Sequence, residues 1–337
     1  MDKRELGTGG PLVAPIGLGC MGMSWGYAES GRDDDTSIGV IRRALDAGVD
    51  LLDTAAVYGD GHNEDLVGRG IADRRDEVVV ATKGGLVVDD LATKQMHRDG
   101  RPEALRRQVE DSLTRLGVDR IDLYYLHRVD PDVPVEESWA ALADLVTEGK
   151  IDRLGLSEVS IAQAETAHAI HPVAAIQSEL SLWTRDPLGE QTVDASADGA
   201  AGAGTDAGGD LLAWTRDHGV SFVPFAPLGR GYLTGTLTAG GFEDGDFRAT
   251  NPRFAADAFA RNQAITREVA RIAAAHGATP AQMSLAWLLR LSGNIIPIPG
   301  TRSGAHLTEN LAATELQLTE DEQQRLDRLP AAYGSRY

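Results

Sequence analysis

The chain lacks several features that mark whole classes of protein. Its 337 residues include one cysteine, Cys20, so no disulfide within the chain can hold the fold together. No apolar run approaches the ~18 residues that a membrane-spanning helix needs. The opening residues, MDKRELGTGG, contain no apolar segment like that of a signal peptide. We therefore expect a cytoplasmic protein without a membrane partner.

Positive charge is also scarce. Lys and Arg number 32 against 51 Asp and Glu, which gives a formal net charge of −19 at pH 7. Binding to a phosphate backbone depends on Lys and Arg, so we expect no nucleic-acid partner. Hydrophobic residues, in contrast, make up 42% of the chain, which is enough for a large packed core in one large domain or two ordinary ones.

Short hydrophobic runs recur along the whole chain, with amphipathic stretches between them. Eight runs are candidate strands: 16–20, 49–53, 77–83, 121–127, 151–157, 173–179, 220–226 and 294–300. The stretches between them fit helices, since Pro102, for example, precedes Leu105, Val109 and Leu116 on one helical face. Alternating strands and helices predict a parallel sheet covered by helices. Eight units of ~42 residues favour a (β/α)8 TIM barrel, with a doubly wound open sheet as the alternative.

Three segments do not fit this alternation of strands and helices. The N-terminal RELGTGGPLV is expected to form a small hairpin at the bottom of the barrel. Residues 190–210, rich in Gly, Ala and Asp, are expected to be a flexible loop within a single domain over 1–337. Residues 228–260 form a second long loop after the seventh run, a place where functional lids occur. Both long loops would lie at the C-terminal face of the barrel.

One motif is misleading. Residues 17–22, GLGCMG, match the G-x-G-x-x-G pattern of dinucleotide-binding folds. That interpretation requires the last glycine to open a helix, and the sequence that follows has no helical periodicity. We interpret the motif as the end of a strand where another group packs closely.

Several of the hydrophobic runs end in a polar residue, and Tyr58 lies five residues after Asp53. The strand ends are Asp53, Lys83, His127, Ser157 and Glu179. In a parallel barrel these side chains converge on one face. A Lys ammonium favours the phenolate of a nearby tyrosine, and a histidine can donate a hydrogen bond to a carbonyl oxygen as it becomes negative. This chemistry fits reduction of a carbonyl group by hydride, which a cofactor must supply.

Eight motifs, in the same order along the chain as in a known family, cover roughly residues 5 to 325. They are Asp53-Thr54-Ala55-x-x-Tyr58-Gly59, Asn63-Glu64, Ala81–Gly85, Leu123–His127, Gly155–Glu158, Gln177–Glu179, Pro227–Gly231 and Ile298–Arg302. With these motifs the chain resembles the aldo-keto reductase superfamily. The resemblance implies a (β/α)8 barrel, the cofactor NADPH and a small-molecule carbonyl substrate. It also implies a catalytic tetrad with Tyr58 as general acid, Lys83 tuning its pKa, Asp53 holding Lys83 and His127 orienting the carbonyl.

The same resemblance implies the cofactor contacts. Ser157 and Gln177 would hold the nicotinamide carboxamide, whereas position 158, often Asn in the superfamily, is Glu here. Trp183 would stack on the nicotinamide ring, and Arg302 would bind the 2′-phosphate. The full set of expected contacts is Gly19, Cys20, Met21, Asp53, Ser157, Gln177, Trp183, Pro227, Leu228, Gly229, Arg230, Gly231, Gly300, Thr301, Arg302, His306, Glu309 and Asn310. No metal site is expected, because His168 and His171 have no nearby Cys and precede a helix-ending Pro172.

Two other functions are open at this point. Some superfamily members bind NADPH and attach to ion channels as regulatory subunits with little turnover. A barrel glycosidase with Asp53 and Glu179 as paired carboxylates is a third possibility. The sequence does not indicate the substrate, because barrel specificity lies in the loops at the C-terminal face.

Overall fold

The computed structural model describes residues 2–190 and 209–336. The expected flexible loop at 190–210 lies almost wholly outside the described residues and stays a prediction.

Eleven strands are present in the described residues. In chain order they are β1 (Arg4–Glu5), β2 (Leu12–Val13), β3 (Leu18–Gly19), β4 (Leu51–Asp53), β5 (Val79–Gly84), β6 (Leu86–Asp90), β7 (Gln95–Arg98), β8 (Ile121–Leu126), β9 (Ile151–Ser157), β10 (Val173–Glu179) and β11 (Ser221–Phe225). Seven of them form one parallel sheet in the order β11-β10-β9-β8-β5-β4-β3. Seven of the eight predicted strands are therefore confirmed.

The eighth predicted strand, 294–300, is wrong as a strand. Pro297 and Pro299 have no N–H to donate, so a continuous ladder cannot form along this segment. Their carbonyls still accept hydrogen bonds from the backbone N–H groups of Gly17 and Gly19. Isolated parallel bridges tie the segment to both sheet edges, at Gly19–Gly300 and Phe222–Ile295. The segment thus closes the barrel, which confirms the predicted fold class and excludes the open sheet.

Two hairpins flank the barrel. The expected N-terminal hairpin is present, with β1 and β2 paired antiparallel. Its Leu6 and Val13 are fully buried and pack with the inward-facing residues of the barrel, among them Leu51, Leu123 and Val223. A second antiparallel hairpin, β6 with β7, follows β5. The hydrophobic pattern of the sequence does not predict this second hairpin.

The helices lie outside the sheet. They are α1 (Asp34–Asp46), α2 (His62–Ile71), α3 (Pro102–Leu116), α4 (Val135–Thr147), α5 (Ile161–Ile170), α6 (Leu211–Asp217), α7 (Phe247–Thr250), α8 (Ala256–Ala275), α9 (Pro280–Leu291), α10 (Gly304–Leu311) and α11 (Glu320–Asp327). Successive helices α1 to α5 pack side by side, and α10 packs against both α9 and α1. None of these helices is long and apolar enough to cross a membrane.

Local sequence explains the helix ends. The Asp33 side chain accepts a hydrogen bond from the backbone N–H of Thr36 and so caps α1. Pro102 occupies the first turn of α3, where no N–H is needed, and Gly117 ends it with φ 65°. These turns set where each strand begins and therefore which residues reach the mouth of the barrel.

Candidate active site

The strand register brings three of the predicted polar residues to one end of the barrel. Asp53 ends β4 opposite Gly19 of β3, and Lys83 of β5 lies opposite Tyr125 of β8. His127 directly follows β8, and its backbone N–H donates to the Gly84 carbonyl at 2.7 Å. Because all the strands run parallel, their carboxyl ends meet at this mouth.

Lys83 and Asp53 form a buried ion pair. The Lys83 Nζ lies 2.5 Å from Asp53 Oδ1 and donates a second hydrogen bond to the Thr54 carbonyl at 2.7 Å. The other carboxylate oxygen, Oδ2, accepts a hydrogen bond from Gln177 Nε2 at 2.7 Å. Burial raises the pKa of Asp53, yet the ammonium and the amide both stabilise its charged form. The pair is thus satisfied on both sides and holds Lys83 in one position.

Tyr58 reaches over this pair from the loop after β4. Its hydroxyl lies 3.5 Å from Lys83 Nζ, and the ammonium is 5.1 Å from the centre of its ring. Asn63, at the start of α2, anchors the loop, accepting from Thr54 Oγ1 at 2.6 Å and donating to the Cys20 carbonyl at 2.9 Å. The Asn63 amide therefore connects the ends of β3 and β4 and fixes the approach of Tyr58.

His127 completes the group. Its ring centre lies 5.9 Å from that of Tyr58, in an edge-to-face arrangement. The imidazole is 7% exposed, and its Nδ1 is buried without a hydrogen-bond partner among the described residues. An unpaired buried polar atom is costly unless a ligand satisfies it. The structure thus brings Asp53, Tyr58, Lys83 and His127 together around one point.

Burial and neighbouring charges set the protonation states at this point. Burial raises the pKa of Tyr58 above its ordinary value, and Lys83 only partly opposes that rise. Burial alone would lower the pKa of Lys83, but Asp53 and Tyr58 raise it overall. Burial, with the Arg128 and Lys83 charges, holds the pKa of His127 well below its ordinary value. At neutral pH the site contains a protonated phenol, an ammonium and a neutral imidazole.

These directions predict the pH profile of carbonyl reduction. Tyr58 keeps its proton because its pKa is raised, and His127 stays neutral because its pKa is lowered. The single-turnover rate of the carbonyl reduction that the resemblance implies should therefore be flat from about pH 6 to about pH 9. Stopped-flow measurement of NADPH oxidation checks this, with the stability of the protein confirmed at each pH. An inflection near the ordinary histidine pKa would show that His127 titrates and contradict the assignment.

Two of the expected carboxamide contacts, Ser157 and Gln177, lie beside this group. Ser157 ends β9 and is 1% exposed, and its Oγ accepts a hydrogen bond from Arg128 Nη1 at 3.0 Å. Gln177 uses its amide nitrogen to hold Asp53, a role that the sequence analysis missed. The Glu158 carboxylate is bound within the protein: it accepts hydrogen bonds from Arg336 at 2.5 Å and from the Glu179 N–H at 2.9 Å. It therefore does not take the place of the Asn that often holds the carboxamide in the superfamily.

Trp183 has a packing role in this structure. It is 2% exposed, and one face is stacked on Tyr232 with ring centres 4.4 Å apart. Phe254 meets it edge-on at 5.3 Å, and the Arg253 guanidinium lies 5.5 Å from its ring centre. The expected contact of Trp183 with a nicotinamide ring remains a prediction that this packing does not favour.

The expected pyrophosphate segment, Pro227 to Gly231, is a strained turn after β11. Gly229, Arg230 and Gly231 have φ of 57°, 56° and 93°, and a Cβ at Gly229 would meet Trp183 at 2.7 Å. Only glycine fits that close approach, whereas left-handed backbone at Arg230 costs about 1 kcal/mol or more. Arg230 lies 3.0 Å from Glu179, so part of its charge is already neutralised. Leu228 precedes the turn and is half-buried.

The expected adenosine end lies at the start of α10. Arg302 donates to the Ala28 carbonyl at 3.1 Å and has no carboxylate partner within 4 Å among the described residues. Thr301 accepts from the Ser303 N–H at 3.0 Å, and Glu309 accepts from Thr279. His306 is exposed, Asn310 is buried, and Gly300 bridges Gly19 across the closing segment. An unpaired guanidinium here suits a phosphate.

The remaining predicted residues, Cys20 and Met21, follow β3. Cys20 is fully buried, and burial together with the Asp53 charge raises the pKa of its thiol to about 12. It therefore stays protonated and unreactive at neutral pH. Met21 packs against an apolar cluster at the mouth, formed by Trp25, Ala55, Val57 and Tyr58 and flanked by Leu86, Val88 and Phe247. The described residues contain no group of His, Cys, Asp or Glu that could hold a metal ion.

Comparisons with known proteins agree on one family. The model of the aldo/keto reductase family matches residues 15–331. The chain is 38% identical to a probable aldo-keto reductase 1 of Glycine max, over 94% of this chain and 85% of that protein. It is 39% identical to the aldo-keto reductase str7 of Strobilurus tenacellus, over 96% and 90%.

Two solved structures show the same architecture. A glycerol dehydrogenase from Gluconobacter oxydans superposes with a TM-score of 0.83 at 31% identity, covering 97% of this chain and 94% of that one. An aldo-keto reductase from Klebsiella pneumoniae, solved in complex with NADPH, superposes with a TM-score of 0.70 at 27% identity, covering 100% and 98%.

Proposed function

The chain belongs to the aldo/keto reductase family, and from that premise we propose that it is an NADPH-dependent oxidoreductase that reduces an aldehyde or ketone to an alcohol. The observation that carries the proposal is the buried group around Lys83. Its ammonium lies 2.5 Å from Asp53 and 3.5 Å from the Tyr58 hydroxyl, beside the neutral imidazole of His127. The sequence motifs indicate the same aldo/keto reductase family, and membership of this family supports carbonyl reduction as the reaction.

The residues present fit NADPH. The solved relative from Klebsiella pneumoniae is a complex with NADPH. In this chain Arg302 has no described carboxylate partner, which suits a phosphate, and the strained turn at 229–231 is typical of a ligand-binding loop. We propose that Ser157, the Pro227–Gly231 turn and Arg302 hold the cofactor, which supplies a hydride when bound.

The chain's own groups would then handle the proton and the charge. Tyr58 holds a proton at its hydroxyl and gives it to the carbonyl oxygen as negative charge develops there. Lys83, fixed by Asp53, stabilises the resulting phenolate. His127, which is neutral and lies edge-on to the Tyr58 ring, would bind the carbonyl oxygen. With the hydride that bound NADPH would supply to the carbonyl carbon, the proton from Tyr58 would complete the alcohol and leave NADP+.

The experiment is a screen of NADPH consumption over aldehydes, ketones and quinones, with NADH as the comparison. We expect turnover with several aldehydes and a preference for NADPH, because Arg302 would bind the phosphate that NADH lacks. The Arg302→Met variant should lose that preference while keeping turnover with NADH. No consumption of NADPH across the panel, with a folded protein, would overturn the proposal.

The rival functions are less compatible with the site. The comparisons give no support to the regulatory-subunit alternative. For the glycosidase, Asp53 is bound by Lys83 and Gln177, and Glu179 is bound by Arg230 and Thr184. Neither carboxylate is available to attack or protonate a sugar. A cytoplasmic location and a single domain over 1–337 remain predictions.

A further inference from the structure

Arg128 places a guanidinium next to the catalytic group. No motif in the sequence pointed to this residue. It directly follows His127 and is half-buried at the mouth of the barrel. Its Nη1 donates to the His127 carbonyl at 2.6 Å and to Ser157 Oγ at 3.0 Å. These two bonds hold the side chain across the ends of β8 and β9, between a tetrad residue and an expected cofactor contact.

Arg128 differs from three other arginines around the mouth. Arg230 pairs with Glu179, Arg248 with Asp246 and Arg336 with Glu158. Arg128, in contrast, has no carboxylate within 4 Å in the described part of the chain, and only its Nη1 makes hydrogen bonds there. Its Nε and Nη2 are left for another acceptor. A partly buried cation is stabilised by an anion, and a planar guanidinium matches the paired oxygens of a carboxylate as well as those of a phosphate.

The charge of Arg128 bears on the reacting groups. It lowers the pKa of His127 and opposes the rise in the pKa of Tyr58 that burial causes. Both groups must therefore lie within electrostatic reach of the guanidinium. A carbonyl oxygen bound by Tyr58 and His127 would lie within reach of the same positive charge.

The part of the mouth next to β3, β4 and β5 is apolar. Trp25 and Val57 belong to the cluster around Tyr58, in the loops after β3 and β4, and Leu86 at the start of β6 packs against it. Arg128 lies on the β8 and β9 side instead. A substrate between them would place an apolar body against the cluster, its carbonyl at Tyr58 and His127, and an anionic group toward Arg128.

We propose that Arg128 binds a carboxylate of the substrate, so that this enzyme prefers carbonyl compounds with an apolar body and a carboxylate. The inference rests on the proposed reductase function and names the substrate class of the same site. The carboxylate would accept hydrogen bonds from Nε and Nη2, while Nη1 keeps its bonds to the His127 carbonyl and Ser157.

The test compares two matched substrate pairs, 3- and 4-formylbenzoate and their methyl esters, with NADPH as reductant. The esters lack the charge but are intrinsically the better hydride acceptors, so a preference for the acids must come from the protein. For the wild type we expect kcat/KM to be about tenfold higher for at least one acid than for its ester. In Arg128→Met this ratio should fall to about one, and in Arg128→Lys it should be intermediate.

The exposed Arg98 provides the control. It donates to the Val129 carbonyl on the same loop, so Arg98→Met removes one positive charge nearby without touching the site. Its acid-to-ester ratio should match the wild type. Circular dichroism of each variant separates a folded protein from an unfolded one, and NADPH fluorescence titration then measures its affinity for the cofactor.

The outcomes separate this inference from the proposed function. A wild type that reduces the esters as well as the acids, or a ratio unchanged in Arg128→Met, overturns the carboxylate role alone. A ratio unchanged with weakened NADPH binding in Arg128→Met shows that Arg128 serves the cofactor, and also overturns it. A folded wild type that reduces no aldehyde with NADPH overturns the proposed function and this inference together.

Discussion

Tyr58→Phe should abolish carbonyl reduction while leaving NADPH binding nearly intact. The substitution removes only the hydroxyl that lies 3.5 Å from Lys83 Nζ, and the ring keeps its edge-to-face contact with His127. Loss of a positioned general acid costs about 10²- to 10⁴-fold in rate, and we expect a fall of about 10³-fold. Single-turnover kinetics measures the rate, and fluorescence titration measures the affinity for NADPH.

The matched control for this prediction is Tyr124→Phe. Tyr124 lies in the neighbouring strand β8, is fully buried and belongs to the core cluster outside the barrel interior. Its hydroxyl has no hydrogen-bond partner among the described residues, so its removal should leave turnover close to that of the wild type. If Tyr58→Phe kept the wild-type kcat with an aldehyde, Tyr58 would not be the proton donor.

Lys83→Met should lose both turnover and stability. The ammonium is fully buried and is the only cation bonded to the Asp53 carboxylate in the described structure. Its removal leaves a buried charge held by the Gln177 amide alone, which costs about 3–5 kcal/mol in the free energy of unfolding. Turnover should fall by about 10³-fold, because the phenolate of Tyr58 loses its stabilising charge.

The double variant Asp53→Asn with Lys83→Met separates the two effects. Neutralising both partners removes the unpaired charge, so urea unfolding should show most of the stability restored. Turnover should stay as low as in Lys83→Met, since the phenolate still lacks its cation. Restored stability together with restored turnover would mean that Lys83 acts only in folding.

Much of the site could be predicted because the ends of the strands can be located from the sequence alone. Parallel strands place their last residues on one face, so Asp53, Lys83 and His127 could be brought together from their positions in three hydrophobic runs. Tyr58 followed from its distance of five residues after Asp53. The start of a helix at Pro102 could be predicted from local sequence in the same way, and the structure agrees with it.

What could not be predicted depends on partners far apart in the chain. The bond from Gln177 to Asp53 spans 124 residues, and the ion pair of Arg336 with Glu158 spans 178. The eighth strand was predicted from its apolar run, although the missing N–H groups of Pro297 and Pro299 decide its structure. Arg128 was overlooked because only the structure shows that no described acid pairs with it.

The most direct measurement of the central claim follows the hydride itself. An aldehyde from the screen is reduced with NADPH carrying deuterium at both positions of nicotinamide C4, and the alcohol is analysed by mass spectrometry and NMR. The account predicts one deuterium on the former carbonyl carbon, a slower single turnover than with unlabelled NADPH, and loss of the product in Tyr58→Phe. An alcohol without deuterium on that carbon, or one formed equally fast by Tyr58→Phe, would contradict it.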